Sequence, residues 1–212
     1  MNLSLINSSY KNIIFDFDGV ILDSVPVKTE AFRILFQDFK DDSVNEIIKY
    51  HKINGGLSRY KKIEYFFISI LKQSISEEKI IEYAYKFSEI TLKELPNPKY
   101  IIEDTLNFIK NNYKKYNMHI ASGSSEEDLK YICDKLDLTK YFISINGSPK
   151  EKSLLVEKIL HEHNYEKRLT CLIGDSINDY EAAKSQGISF FGYNNDSLEK
   201  ISYKYINSFG NL

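Results

Sequence analysis

Two aspartates flank one phenylalanine and precede a glycine in the run Asp16-Phe17-Asp18-Gly19-Val20. Alternate residues of an extended segment point the same way, so both carboxylates can face one site. Gly19 lets the backbone turn sharply away. Two carboxylates so close repel each other unless they share a proton or meet a cation, and Mg²⁺ suits hard oxygen ligands. Taken alone, the pair reads equally well as an aspartate-rich turn. A second acidic cluster, Gly174-Asp175-Ser176-Ile177-Asn178-Asp179, places two carboxylates four residues apart. Asp175 can ligate a metal and Asp179 can support it; an aspartate near a helix start also caps free backbone N–H groups. Ser122-Gly123-Ser124 offers a hydroxyl and free N–H groups beside a helix start, which is an anion site or an ordinary cap with Glu126 and Glu127 behind it. Lys152 opens a helix after Gly147-Ser148-Pro149. A cation there opposes the helix dipole, so either an anion lies nearby or Lys152 is a solvated lysine like Lys150.

The elements that must position these residues are legible in the apolar pattern. Short apolar runs at 12–15, 118–120 and 169–173 each end in small or acidic residues. Each predicts a buried strand with polar chemistry at its carboxyl end. Helical periodicity at 101–110, 126–136 and 153–161 falls between them. Strand alternating with helix predicts a parallel α/β sheet, Rossmann-like and flanked by helices, and ligands of such sheets bind beyond the carboxyl ends of the strands. The stretch 25–95 breaks the alternation. It predicts helices at 27–39, 43–51, 57–73 and 77–92, with the loop Asn54-Gly55-Gly56 inside it and Pro96-Asn97-Pro98 as the hinge back to the sheet. The expected division is a core of 1–24 and 96–212 with an inserted α-helical cap domain, 25–95.

Composition narrows the function classes. The chain has 212 residues, 42% of them hydrophobic, enough for a real core. A net charge of -2 gives no basic face for nucleic acid or for a membrane surface. Cys133 and Cys171 form no CxxC, so a reducing cytoplasm is the expected setting. The first residues lack the basic start and long apolar stretch of a signal peptide, and the most apolar run, 65–71, is too short to span a bilayer. A monomer is the simple expectation. The Tyr and Phe residues of the cap, among them Tyr65, Phe66 and Phe67, read as helix packing.

Four motifs in this order on successive strand ends (Asp16 to Val20, Ser122 to Ser124, Lys152, and Gly174 to Asp179) resemble the haloacid-dehalogenase-superfamily hydrolases with an α-helical cap. The likeness is to phosphoglycolate-phosphatase-like and β-phosphoglucomutase-like members and spans nearly the whole chain. The resemblance implies that Asp16 attacks phosphorus and forms an aspartyl-phosphate. Asp18 then serves as general acid and afterwards as general base. It further implies Mg²⁺ held by Asp16, the Asp18 carbonyl and Asp175 with Asp179 in support. Phe17, Asp18, Ser122, Gly123 and Lys152 would hold the phosphoryl group. The second aspartate, absent or replaced in dehalogenases and phosphonoacetaldehyde hydrolases, favours phosphate-ester chemistry on a small phosphorylated metabolite such as a sugar phosphate. Substrate choice is expected in the cap, at Lys28, Glu30 and the loop His51 to Arg59 with its Gly56, where Arg59 could grip a second anionic group. That loop is similar to the specificity loop of β-phosphoglucomutase, so a sugar phosphomutase is the alternative. Lys28 stands where that enzyme carries a cap histidine, a departure that favours the phosphatase.

Overall fold

A computed structural model describes residues 9–201 and 204–211. Six parallel strands form one sheet in the order β3-β2-β1-β4-β5-β6. They are β1 (Asn12–Phe15), β2 (Asn117–Ser125), β3 (Ser144–Ser148), β4 (Thr170–Gly174), β5 (Ser189–Tyr193) and β6 (Tyr205–Ile206). The α/β architecture expected from the sequence is the one the chain adopts.

The central strands are apolar because both faces are covered. Every residue of β1 and β4 is buried. The period of two sorts their side chains. Ile13 and Phe15 join a cluster with Leu106, Phe108 and Ile132 on one face, whereas Ile14 joins Leu155, Leu172 and Phe190 on the other.

The first four α-helices after β1, α1 (Val25–Leu35), α2 (Asp41–Ile53), α3 (Arg59–Tyr65) and α4 (Glu77–Thr91), are called the cap below. They enclose an apolar cluster of their own, with Phe32, Phe36, Ile47, Phe66 and Phe87 at its centre. Phe36 and Phe66 stack with ring centroids 3.9 Å apart. The single helix expected at 57–73 is shorter: α3 is capped by Ser58 and gives way at Phe66–Ile70 to a wider π turn. That turn directs both Phe66 and Phe67 inward. Around the sheet lie α5 (Glu103–Asn112), α6 (Glu126–Lys135), α7 (Lys152–Glu162) and α8 (Ile177–Gln186). Cys133 and Cys171 are both free and buried. No helix among the described residues is long and apolar enough to cross a membrane.

Candidate active site

The carboxyl ends of β1, β2 and β4 lie side by side, and the sequence motifs follow them. Asp16 extends β1 by one ladder bond, its N–H donating to Ile173 O at 2.9 Å. The Phe17 N–H donates to Asp16 Oδ1 at 2.7 Å, while the Phe17 ring is buried in the core. The chain then turns at Gly19, with φ +75°. A Cβ at Gly19 would lie 2.0 Å from Asp175 Oδ2, so only glycine admits that carboxylate.

Lys152, the first residue of α7, reaches Asp16 Oδ1 at 2.9 Å and also contacts Asp179 Oδ1. Its awkward place at a helix N-terminus is explained by these two acids. Asp179 works on both sides. Its Oδ2 accepts from Ser176 N at 3.0 Å and Ser176 Oγ at 2.5 Å, closing a capping box on α8, while Oδ1 meets Lys152. Asp16, Asp175 and Asp179 each present a carboxylate oxygen within 4.8 Å of the others. Burial first, then repulsion from Asp179, raises Asp16 to about 7 despite Lys152. Burial first, then Asp16 and Asp179, raises Asp175 well above the ordinary carboxylate range. Three crowded carboxylates facing one lysine form an all-oxygen donor set that fits a hard divalent cation such as Mg²⁺.

Asp18 stands in a different field. Burial alone would raise it, but Lys28 and hydrogen bonds from Ser124 and Ser24 outweigh burial and hold it below its ordinary range. Lys28 Nζ and Ser24 Oγ both lie 2.5 Å from Asp18 Oδ1, and Ser124 Oγ donates to Oδ2 at 2.6 Å. Ser122 is buried, 3.5 Å from the same Oδ2, and accepts from Ser124 N at 3.1 Å. The cap loop presses on this ring. A Cβ at Gly123 would stand 2.3 Å from Gly56 O. The cap is therefore seated on the core, over a cavity of about 490 Å³ lined by Asp18, Lys28, His51, Lys62, Ser124 and Asp175 among others.

The structure thus gathers Asp16, Phe17, Asp18, Ser122, Gly123, Lys152, Asp175 and Asp179 at one place, with Lys28 and Gly56 of the cap against them. Two cap residues stand elsewhere. Glu30 is exposed and pairs with Arg33. Arg59 borders the cavity, but its guanidinium is buried against Asp128 of α6 at 2.5 Å, where it ties cap to core. Sequence reasoning missed Ser24, Lys62, Asn194 and Asn195. Asn194 Nδ2 donates to Gly19 O at 2.9 Å and Asn195 Nδ2 to Asp175 O at 2.7 Å, pinning the two acidic loops together. They follow β5, so the strand-end rule would have flagged them once that strand was recognised. Lys62 carries no sequence signal, and His51 entered only as the first residue of the candidate cap loop, which borders the cavity.

Comparison with known proteins agrees with this geometry. A curated phosphorylated carbohydrates phosphatase from Thermotoga maritima is 27% identical over 187 residues, covering 83% of this chain and 81% of that protein. The β-phosphoglucomutase structure from Clostridium difficile superposes with a TM-score of 0.76 at 18% identity, over 96% of this chain and 93% of that one. A haloacid-dehalogenase-type hydrolase from Bacillus subtilis, solved bound to magnesium, superposes with a TM-score of 0.69 at 17% identity, over 96% of both chains. The model of the haloacid dehalogenase-like hydrolases matches residues 13–193, a span that takes in the four acidic residues, Lys152 and the whole cap. The chain belongs to the haloacid dehalogenase-like hydrolase family.

Proposed function

We propose that the protein is a Mg²⁺-dependent phosphatase that hydrolyses a small phosphomonoester, such as a sugar phosphate, through a phosphorylated Asp16. The observation that carries this reading is the convergence of Asp16, Asp175, Asp179 and Lys152 at one buried point beside Asp18 and the cavity. The phosphatase name of the Thermotoga maritima relative supports it, as does the magnesium in the Bacillus subtilis structure. The separate apolar cluster of the cap supports a division into a core of 1–24 and 96–212 and a cap of 25–95.

Held by Asp16, the Asp18 carbonyl and Asp175, with Asp179 in support, Mg²⁺ would supply the Lewis-acid charge that lets an anionic nucleophile approach a phosphate. The chain's own groups do the rest. Lys152 offsets charge on Asp16, and with Ser122 and the backbone N–H groups of Phe17, Asp18 and Gly123 it binds the phosphoryl oxygens. An Asp16 oxygen forms a bond to phosphorus as the bond to the leaving oxygen breaks. The leaving oxygen takes a proton that Lys28 Nζ passes through the ionised Asp18 carboxylate it touches. Water then attacks the phosphorylated Asp16 and gives a proton to Asp18, which hands it back to Lys28. Inorganic phosphate leaves and Asp16 is restored. The seated cap excludes other water meanwhile.

The test is release of phosphate from p-nitrophenyl phosphate and a panel of sugar phosphates, with Mg²⁺ and after chelation. The proposal expects release that requires the metal and disappears in Asp16→Asn. Release that survives chelation, or survives in Asp16→Asn, overturns it. Conversion of a sugar phosphate to its isomer without free phosphate would support a mutase instead.

A further inference from the structure

We propose that the open half of the cavity receives an apolar, ring-sized part of the substrate, so that the substrate is a phosphomonoester with an apolar leaving group. The inference rests on the hydrolase reading above and adds a substrate class to it.

Four aliphatic side chains carry the inference. Ile53 and Leu57 come from the cap, Ile177 and Ile201 from the core, and all four line the cavity that also holds Asp18 and Ser124. None of the four belongs to the apolar clusters that cover the two faces of the sheet or fill the cap. Ile53 is 69% exposed and Ile201 43%, while Leu57 and Ile177 are half-buried. Burial is what makes an aliphatic side chain stabilise a fold, so the fold gains little from these. A single exposed isoleucine is ordinary, but aliphatics from two halves of a molecule converging on one cavity form a surface suited to being covered.

The polar groups of the same cavity decide what covers it. Most are already engaged within the protein: Lys28 and Ser124 with Asp18, Ser176 with Asp179, Arg59 with Asp128, and Ser197 with Asn195. The hydroxyls of a polyol would find few partners there, and each buried hydroxyl left unpaired costs free energy. A ring without polar atoms gives up no hydrogen bonds to water and is driven onto the four side chains by the hydrophobic effect. Continuity fixes how that ring is held. One cavity joins the aliphatic side chains to Asp18 and Asp175, so a group seated on them belongs to the same molecule as the phosphate that Asp16 attacks. Its volume of about 490 Å³ lies within the range of about 300–1,000 Å³ of mostly apolar sites that enclose an organic ligand, with room for more than a phosphate.

The test compares kcat/KM for 2-phenylethyl phosphate, ethyl phosphate and glucose 6-phosphate in the presence of Mg²⁺, with p-nitrophenyl phosphate as a check on turnover. The first three are esters of primary alcohols, so the chemical step is alike and their ratios report the fit of the leaving group. The wild type should prefer 2-phenylethyl phosphate over ethyl phosphate by about tenfold or more, the least that one added apolar group gives in a hydrophobic pocket. Ile53→Ser and Ile201→Ser should each lower that ratio, and the double variant should bring it towards one. Melting temperatures should stay close to wild type, because both positions are exposed; a purely structural role would lower the melting temperature and leave the ratio alone. A wild-type ratio near one, alongside hydrolysis of p-nitrophenyl phosphate, overturns the apolar site and leaves the hydrolase reading standing. Preference for glucose 6-phosphate over 2-phenylethyl phosphate overturns it in favour of a polyol, and an unchanged ratio in the double variant overturns the role of the two isoleucines. No phosphate from any of the four compounds overturns both readings. If the double variant does not fold, the wild-type ratios still decide.

Discussion

Replacing Asp128 with alanine should loosen the cap without unfolding either half of the molecule. Asp128 Oδ2 accepts from Arg59 Nη2 at 2.5 Å and from Ser88 Oγ at 3.0 Å, joining α6 of the core to α3 and α4 of the cap. Both members of the pair are buried. The guanidinium also donates to Ala84 O at 3.3 Å and lies over the Phe87 ring at 5.0 Å, but Asp128 is the partner that brings negative charge. Removing one member of a buried pair costs about 3–5 kcal/mol, because the other charge stays buried and uncompensated. Here the cost falls on the seated arrangement alone, since lifting the cap returns Arg59 to water. At 1.4 kcal/mol per factor of ten, the ratio of seated to lifted molecules falls by roughly 150- to 4,000-fold. The assay is kcat/KM on p-nitrophenyl phosphate together with limited trypsin digestion. Asp128→Ala should lose activity and gain cleavage in the cap, with melting little changed because cap and core keep separate apolar clusters. Arg59→Met combined with Asp128→Leu should recover much of the loss, since an apolar pair of similar volume is often as stable as a buried ion pair. Unchanged kcat/KM and proteolysis in Asp128→Ala would refute the reasoning. So would a double variant as impaired as the single one.

Gly19→Ala should abolish most activity, because the new methyl group would sit on Asp175 Oδ2 at a backbone φ of +75°; a variant with wild-type kcat would contradict the close approach of the two loops. Lys152→Met should lower kcat by about 10²–10³-fold, the usual loss when one preorganised charge contact is removed; titration with Mg²⁺ should not restore it, and full rescue by excess metal would count against its place on the phosphoryl group. His51 gives a pH dependence of stability. Its folded pKa, down to about 2, lies below the unfolded value of 6.5, so below pH 6.5 the unfolded chain binds a proton that the folded chain refuses. Stability is therefore lost as pH falls, by about 2 kcal/mol between pH 7 and pH 5 from this residue. Urea unfolding at the two pH values should show that much less loss in His51→Gln, and equal losses in both proteins would show that His51 is not held neutral.

The acids of the candidate site were legible because they follow strands that announce themselves. The runs at 12–15 and 169–173 are apolar on both faces, and Asp16 and Asp175 stand where those runs stop. The neighbouring strands were not legible. β3 reads Ser-Ile-Asn-Gly-Ser, which in sequence looks like a turn, and β5 carries a glycine; both become strands by pairing with β2 and β4. The helices of the cap were visible from their periodicity, but not the π turn after α3, which is fixed by where Phe66 and Phe67 must pack. Arg59 illustrates a limit of reading types and spacing. Its loop position suggests a hand on the substrate, but its partner lies 69 residues away on another helix. His51 and Lys62 are likewise 11 residues apart on two different helices, and only the packing of α2 on α3 makes them neighbours.

The most direct test of the central claim is to stop the wild-type enzyme with acid during turnover of p-nitrophenyl phosphate and map the site of phosphorylation by peptide mass spectrometry. The account predicts an acid-stable, hydroxylamine-sensitive phosphoryl group on Asp16, absent from Asp16→Asn. A phosphoryl group on any other residue, or turnover with none at Asp16 under conditions that trap such an acyl phosphate in a control enzyme, would contradict it.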